Sequence, residues 1–113
     1  MALFAIAVPI LPGKTDQWHH FIEELRGPRY REYAASRRRL DVRERAFLQS
    51  TPHGDVVVVT LEGENPTRAF RSFGDSDDPF THWFVQQVQE IHGFDLRQPP
   101  PAMPEMAIDS HAD

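Results

Sequence analysis

Two histidine–glutamate pairs near the start of the chain have the spacing of metal ligands. His19 and His20 are each followed four residues later by a glutamate, Glu23 and Glu24, and side chains four apart share one face of an α-helix. An imidazole nitrogen and a carboxylate oxygen can both bind zinc. However, adjacent histidines point about 100° apart on a helix, and both pairs lie outside the apolar stripe of this stretch. We therefore interpret them as solvated side chains and predict no metal site and no cofactor.

A second group of residues combines aromatic rings with a cation. Tyr30, Tyr33 and Arg37 recur at helical spacing within residues 29–40. Two phenols and a guanidinium that face a cavity would suit an aromatic or carboxylate-bearing ligand. The alternative is that the tyrosines lie at the edge of the core with their hydroxyls in water, and that Arg37 covers them. Together with both tryptophans, these residues form the predicted lining of a ligand pocket: Trp18, Tyr30, Tyr33, Arg37 and Trp83.

The helix within residues 75–93 has the clearest start and stop signals of the chain. Asp78 can accept backbone N–H bonds as the N-cap, and Pro79 suits the first helical position. Gly93 can take the left-handed conformation that ends a helix. Two further histidines lie on this helix. His82 is one position before Trp83, which belongs to the apolar face. His92 lies in the last turn, where the helix dipole favours the protonated form. The apolar positions recur at helical spacing: Phe80, Trp83, Phe84, Val88 and Ile91.

The remaining patterns place these candidates in an alternating series of strands and helices. Thr15 is the expected N-cap of a first helix, which Gly27-Pro28 interrupts because proline lacks a donor. The other predicted elements are strands at residues 3–11, 43–50 and 56–62, a short helix after Asn65-Pro66, and an optional brief strand at residues 94–96. This order predicts an α+β fold, a ferredoxin-like β-α-β-β-α-(β) antiparallel sheet with the helices on one face. Residues 1–97 form this domain, and the proline-rich residues 98–113 form a tail that is disordered or docked on a neighbouring subunit.

Composition narrows the class of protein. The 113 residues are 40% hydrophobic and 26% charged, as expected of one soluble globular domain. The absence of cysteine excludes disulfides, thiolate metal sites and cysteine nucleophiles. The net charge of −5 argues against a nucleic-acid binder. Because the apolar start of the chain lacks a basic flank and is too short for a membrane span, we expect a cytoplasmic protein that binds neither nucleic acid nor membrane.

Two predicted strands are apolar on both sides, which predicts a partner. The first strand and the run of four valines at residues 56–59 carry large side chains at both parities. One layer of helices covers only one face of a sheet, and each large apolar side chain left in water forgoes about 1.5–3 kcal/mol of burial. We therefore expect a second copy of the chain to cover the other face in a twofold dimer. The alternative is that the tail folds back over the sheet.

The element order and the kinked first helix resemble the dimeric α/β-barrel superfamily, in which two ferredoxin-like subunits pack sheet to sheet. The resemblance covers roughly residues 3–97. Its second half is also similar to a family of small uncharacterised bacterial proteins within that superfamily. The matching residues are Phe47, Leu48, Gln49, Thr51, Pro52, Gly54, Asp55, Ser76, Asp78, Pro79, Phe80, Trp83, Phe84, His92 and Gly93.

The resemblance implies an architecture and leaves several functions open. We expect a homodimer that binds a small molecule. One alternative is an enzyme of the superfamily type: a cofactor-independent oxygenase, an isomerase or a haem-handling protein. Some superfamily members bind haem through a helix histidine, and His82 and His92 are the weak candidates for that role here. Another alternative is a non-catalytic interaction module whose tail engages a partner. No catalytic residue follows from the resemblance.

Overall fold

The computed structural model describes residues 2–99 and 102–111, which fold into an α+β domain. Within these residues there are three strands and four helices. The strands are β1 (Ala2–Pro9), β2 (Val42–Thr51) and β3 (Gly54–Gly63). The helices are α1 (Thr15–Arg26), α2 (Tyr30–Arg39), α3 (Pro66–Arg71) and α4 (Pro79–His92).

The strands form one antiparallel sheet in the order β1-β3-β2. β3 lies in the centre and pairs antiparallel with both neighbours, so β1 and β2 run in the same direction at its two sides. β2 and β3 form a hairpin whose turn, Pro52-His53, leads into Gly54 at φ 121°, a conformation that suits glycine. The helices α1 and α2 connect the two outer strands.

The two faces of the sheet differ in their cover. On the helix side, Phe4, Val57 and Leu61 are buried in a core shared with α1, α3 and α4. On the opposite side, the side chains of Leu3 and Phe47 remain 52% and 55% exposed. This arrangement follows from the register, because residues directly opposite each other on paired strands point to the same face. The helices therefore leave one partly apolar sheet face uncovered.

The predicted signals of α4 are confirmed. Asp78 is the N-cap and accepts a hydrogen bond from the backbone N–H of Thr81 at 2.8 Å, Pro79 is the first helical residue, and Gly93 ends the helix at φ 70°. Asn65 caps α3 in the same way through the N–H of Arg68. These short polar side chains satisfy backbone donors that the first helical turn leaves unpaired.

The start of α1 differs from the prediction, whereas its end does not. Lys14, and not Thr15, occupies the N-cap position, and no side-chain cap is present there. Thr15 instead donates its hydroxyl to Asp55 Oδ2 at 2.6 Å, which ties the first turn of α1 to the start of β3 and lowers the pKa of Asp55. Gly27 ends α1 as expected, and α2 follows as a separate helix.

The optional last strand at residues 94–96 is not formed. The side-chain carboxylate of Asp95 accepts a hydrogen bond from the N–H of Arg97 at 2.9 Å, and the backbone carbonyl of Asp95 accepts one from the N–H of Gln98 at 3.1 Å. These contacts bend the chain into a turn that places Leu96, 7% exposed, in the core. In the part of the tail that the structure describes, Met103 packs against the core while Met106 and Ile108 are exposed.

None of the described helices combines the length and the apolar content that crossing a bilayer requires.

Candidate functional site

A cavity of about 90 Å³ lies between the helices and the sheet. Its sheet side is formed by Val8, Val57 and Val59, which are neighbours across β1 and β3. Its helix side is largely aromatic, and the rings come from α1, α3, α4 and the segments that follow them: Trp18, Phe21, Phe70, Phe73, Phe84 and Phe94. The cavity therefore belongs to the hydrophobic core and would bury an apolar ligand.

The cavity reaches solvent beside β2. Ala46 lines it and is nonetheless exposed, because β2 is an edge strand and this small side chain, opposite Val59, leaves a gap on the helix side of the sheet. Ile22 and Tyr33, half-buried, lie on the helical side of the cavity. We therefore expect a small molecule to enter the cavity beside Ala46.

A largely buried polar cluster of Tyr33, Arg37 and Glu44 lies beside the cavity. Tyr33 donates its hydroxyl to Glu44 Oε1 at 2.7 Å, and Arg37 donates its Nε–H to the same oxygen, also at 2.7 Å. Arg37 Nη1 further donates to the hydroxyl of Ser36 at 2.9 Å. Tyr33 and Glu44 line the cavity. Burial, followed by the charge of Glu44, raises the pKa of Tyr33 far above its ordinary value, so the phenol stays protonated.

The guanidinium of Arg37 is enclosed by aromatic rings. Its carbon atom lies 3.9 Å from the ring centre of Phe73, 4.7 Å from Phe84 and 4.9 Å from Tyr33, distances at which the cation is attracted to the ring faces. The residue is only 6% exposed, and its Nη2 has no hydrogen-bond partner among the described residues. Arg37 is thus held behind the cavity wall and does not itself line the cavity.

His92 also lines the cavity. Its Nδ1 lies 2.8 Å from the carbonyl oxygen of Pro9, and because a carbonyl only accepts, Nδ1 carries the hydrogen. In the neutral ring, Nε2 is then an unprotonated acceptor. Burial lowers the pKa of His92 even though the contact with Pro9 opposes this. Desolvation therefore opposes the protonated ring that the end of a helix favours.

The structure distributes the five predicted pocket residues over four environments. Trp18 and Tyr33 line the cavity, and Arg37 lies behind its wall. Tyr30 is 55% exposed on α2. Trp83 is half-buried beneath the guanidinium of Arg29, at 4.1 Å from the ring centre.

The two haem-ligand candidates also lie apart. His82 is exposed, with Nε2 at 2.7 Å from Asp77 Oδ1 and Nδ1 at 3.1 Å from the guanidinium of Arg97. His92 alone of the two borders the cavity. A drug-sized ligand typically occupies roughly 300–1,000 Å³, and a porphyrin is larger still, so a cavity of about 90 Å³ does not fit a haem.

Sequence reasoning missed Glu44. It lies between Arg43 and Arg45, and a run of three charged residues in a strand is typical of a solvated surface. The register shows the opposite, since Glu44 faces the helices opposite Leu61 while both arginines face away. A usable signal was present: Val42, Glu44, Ala46 and Leu48 share one parity, so the glutamate belongs to the more apolar face.

The histidine–glutamate pairs of α1 do not form a cluster. His19, His20 and Glu23 are exposed, and Glu24 is half-buried. Across residues 2–99 and 102–111, no group of three or more histidine, aspartate or glutamate side chains is arranged to hold a metal ion.

Comparison of the chain with protein-family models, with curated proteins and with solved structures gives no match. The resemblance to the dimeric α/β-barrel superfamily therefore stays a prediction that rests on the sequence pattern.

Proposed function

We propose that this chain is the subunit of a homodimer of the dimeric α/β-barrel type and binds a small, mostly apolar molecule between its helices and its sheet. The observation that carries the proposal is the cavity beside Ala46, lined by six aromatic side chains and bordered by Tyr33, Glu44 and His92. Ligand sites combine an apolar lining with a few polar groups that fix orientation, and this cavity has that composition.

The volume limits the size of the ligand. One water molecule needs about 10–15 Å³ of such space, so a cavity of about 90 Å³ holds the equivalent of roughly six to nine waters. A single six-membered ring with one substituent meets that limit. Larger molecules would require the helices to move away from the sheet.

The uncovered sheet face supports a second copy as the partner. Its centre is apolar, with Ala7, Val58 and Phe47 in one row across the three strands. Arg45 and Glu62 form an ion pair of 3.6 Å on the same face, so a twofold-related copy would present charges of both signs and meet no uniform repulsion. Leu3 and Phe47 stay exposed although residues 102–111 of the tail are present. The described part of the tail therefore does not take the place of a partner.

The size of this face indicates that a dimer would use more than the sheet. Eight paired residues on three strands span about 26 by 14 Å, which is about 370 Å², whereas a stable interface buries about 800 Å² on each partner. Met106 and Ile108, 61% and 87% exposed, are the exposed large apolar side chains of the described tail. We propose that they dock on the neighbouring subunit and extend the contact.

A proton-transfer enzyme is a second candidate function, and one observation favours it. His92 lines the cavity and is held by Pro9 with its hydrogen on Nδ1, so Nε2 is free to accept a proton. This is the arrangement that a general base needs. The isomerase version of the superfamily hypothesis is therefore better supported than the haem version, which the cavity volume opposes.

Filling the cavity tests the proposed binding site. The Ala46→Phe variant would place a ring at the mouth of the cavity on an exposed edge strand, where the fold tolerates it. We expect wild-type backbone amide resonances of α1, α4 and β3 to shift on titration with toluene, and the variant to lose at least tenfold in affinity. Ala46→Ser keeps the cavity open and is the matched control. Equal toluene binding by Ala46→Phe and Ala46→Ser would show that the ligand site lies elsewhere.

A further inference from the structure

The polar groups around the cavity differ in what they can offer a ligand. Four lining residues carry polar atoms, and Arg37 is not among them: Trp18, Tyr33, Glu44 and His92. The hydroxyl hydrogen of Tyr33 is already donated to Glu44 Oε1. Trp18 has one neutral N–H donor. The residues that line the cavity therefore offer a ligand few hydrogen-bond donors and no permanently charged cation.

Acceptors, in contrast, remain free. Glu44 Oε1 receives both Tyr33 and Arg37, while no described hydrogen bond uses Oε2. A carboxylate oxygen accepts without donating. His92 adds the unprotonated Nε2, since its Nδ1–H is committed to Pro9. Two acceptors therefore border an otherwise apolar space, and a ligand without a donor would leave them unpaired when it displaces water.

A carboxylate-bearing ligand would meet unfavourable conditions in this cavity. The guanidinium that could pair with it is enclosed by Phe73, Phe84 and Tyr33 and bound to Glu44. Its Nη2 has no partner among the described residues, but Arg37 does not line the cavity. A second carboxylate beside Glu44 would be desolvated without a counter-ion, which is strongly unfavourable. The expected match between Arg37 and an acidic ligand is thus not what the geometry favours.

We infer that the cavity selects small neutral aromatic molecules that carry one hydrogen-bond donor, with a phenol as the simplest example, and rejects aromatic carboxylates. The inference rests on the proposed function and adds the chemical class of its ligand. The ring would pack among Phe21, Phe70 and Phe84, where aromatic pairs gain beyond their buried area. Its hydroxyl would donate to Glu44 Oε2 or His92 Nε2.

Three probes at pH 7 test the inference: phenol, toluene of the same size without a donor, and benzoate. We expect phenol to bind the full-length protein about tenfold more tightly than toluene, as one added hydrogen bond allows, and benzoate to show no binding by chemical-shift titration. Benzamide, which has the shape of benzoate without its charge, controls for size. Benzoate binding as tight as that of phenol, or equal affinities for phenol and toluene, would overturn the inference.

Two variants assign the acceptor. Glu44→Gln and His92→Leu each remove one free acceptor, and toluene affinity reports whether the cavity stays intact in each variant. We expect at least one of them to reduce the phenol-to-toluene affinity ratio about tenfold, with each phenol affinity compared with the toluene affinity of the same variant. An unaltered ratio in both would contradict the inference even if phenol binds. A lack of binding by toluene and phenol alike in the wild type would instead remove the proposed function, and the inference with it.

Discussion

His92 joins the end of α4 to the end of β1 and at the same time borders the cavity. Its contact with the carbonyl of Pro9 fixes the ring orientation, so the free nitrogen has a defined direction. Cavity-lining groups that are fixed in this way need no rearrangement when a ligand binds, which favours affinity. The same residue therefore couples packing of the helix end with recognition.

His92 should make the protein less stable in mild acid. Burial lowers its pKa below 6.5 in the folded state, so the unfolded chain binds this proton more readily between the two pKa values. The free energy of unfolding is accordingly unaffected above pH 6.5 and falls as the pH decreases from 6.5 toward the folded-state pKa. Urea denaturation at pH 7.5 and 5.5 measures the loss. We expect His92→Gln to lose less stability than the wild type over this interval, while His53→Gln, in the exposed turn, behaves as the wild type. Equal losses in the wild type and His92→Gln would contradict the assignment.

α4 is a helix whose start is defined by several side-chain contacts. Asp78 accepts from Ser76 and from the N–H and hydroxyl of Thr81, and Arg39 of α2 lies 3.7 Å from it. The Ser76 hydroxyl, then the Thr81 amide, lower the pKa of Asp78 to about 2. One carboxylate thus caps α4 and connects it with α2.

The Asp78→Ala variant should be destabilised by about 1 kcal/mol at pH 7 because the cap is lost. The folded-state pKa of Asp78 is depressed, so this stabilisation is fully present above the unfolded value of 3.8 and disappears as the pH falls toward 2. Asp75→Ala, at an exposed aspartate three residues earlier, should change the free energy of unfolding by less than about 0.5 kcal/mol. Thermal denaturation at pH 7 and pH 2.5 compares them; similar losses for both variants at pH 7 would argue against the capping role.

How far the sequence predicts each element depends on whether its signals are local. Asp78, Pro79 and Gly93 act within one turn of chain, so the bounds of α4 could be predicted. The segment at residues 94–96 could not, because Asp95 bends it through its own side chain and Leu96 packs into a core that forms only when distant parts of the chain meet.

The placement of Arg37 also depends on tertiary packing. Its helical stripe is visible in the sequence, but the rings that enclose it are Phe73 and Phe84, distant along the chain. Glu44 was not predicted, because its neighbours in the sequence are arginines and a charged run is typical of a solvated surface.

At the scale of the whole molecule, the proposed dimer depends on the exposed face of the sheet. Phe47 lies near its centre and is 55% exposed, and Tyr30 on α2 is exposed to the same extent on another surface. These two residues form a matched pair for substitution, because a charge introduced at either site is equally exposed to solvent in the monomer. Of these two residues, only Phe47 lies on the sheet face that the proposed dimer would bury.

The Phe47→Glu variant should dissociate the dimer. A twofold axis places the substitution on both sides of the contact, and burial of two unpaired carboxylates weakens association by at least about a hundredfold. Light scattering at micromolar concentration should give twice 13.0 kDa for the wild type and for Tyr30→Glu, and 13.0 kDa for Phe47→Glu. A wild type that is monomeric at every concentration would refute the dimer. A dimeric Phe47→Glu would place the contact elsewhere.

The two outer strands of the sheet are unequally protected against chance pairing with other chains. β2 carries Arg43, Glu44 and Arg45, whereas no residue of β1 from Ala2 to Pro9 is charged, and no described strand pairs with its outer side. Natural proteins often place charged side chains on edge strands, because the unpaired backbone N–H and C=O groups of an edge can pair with another chain and start aggregation. The outer side of β1 is consequently the edge of this sheet that is most open to pairing with another chain. The time for which β1 stays unpaired during folding depends on how quickly the central strand β3, some fifty residues further along the chain, folds against it.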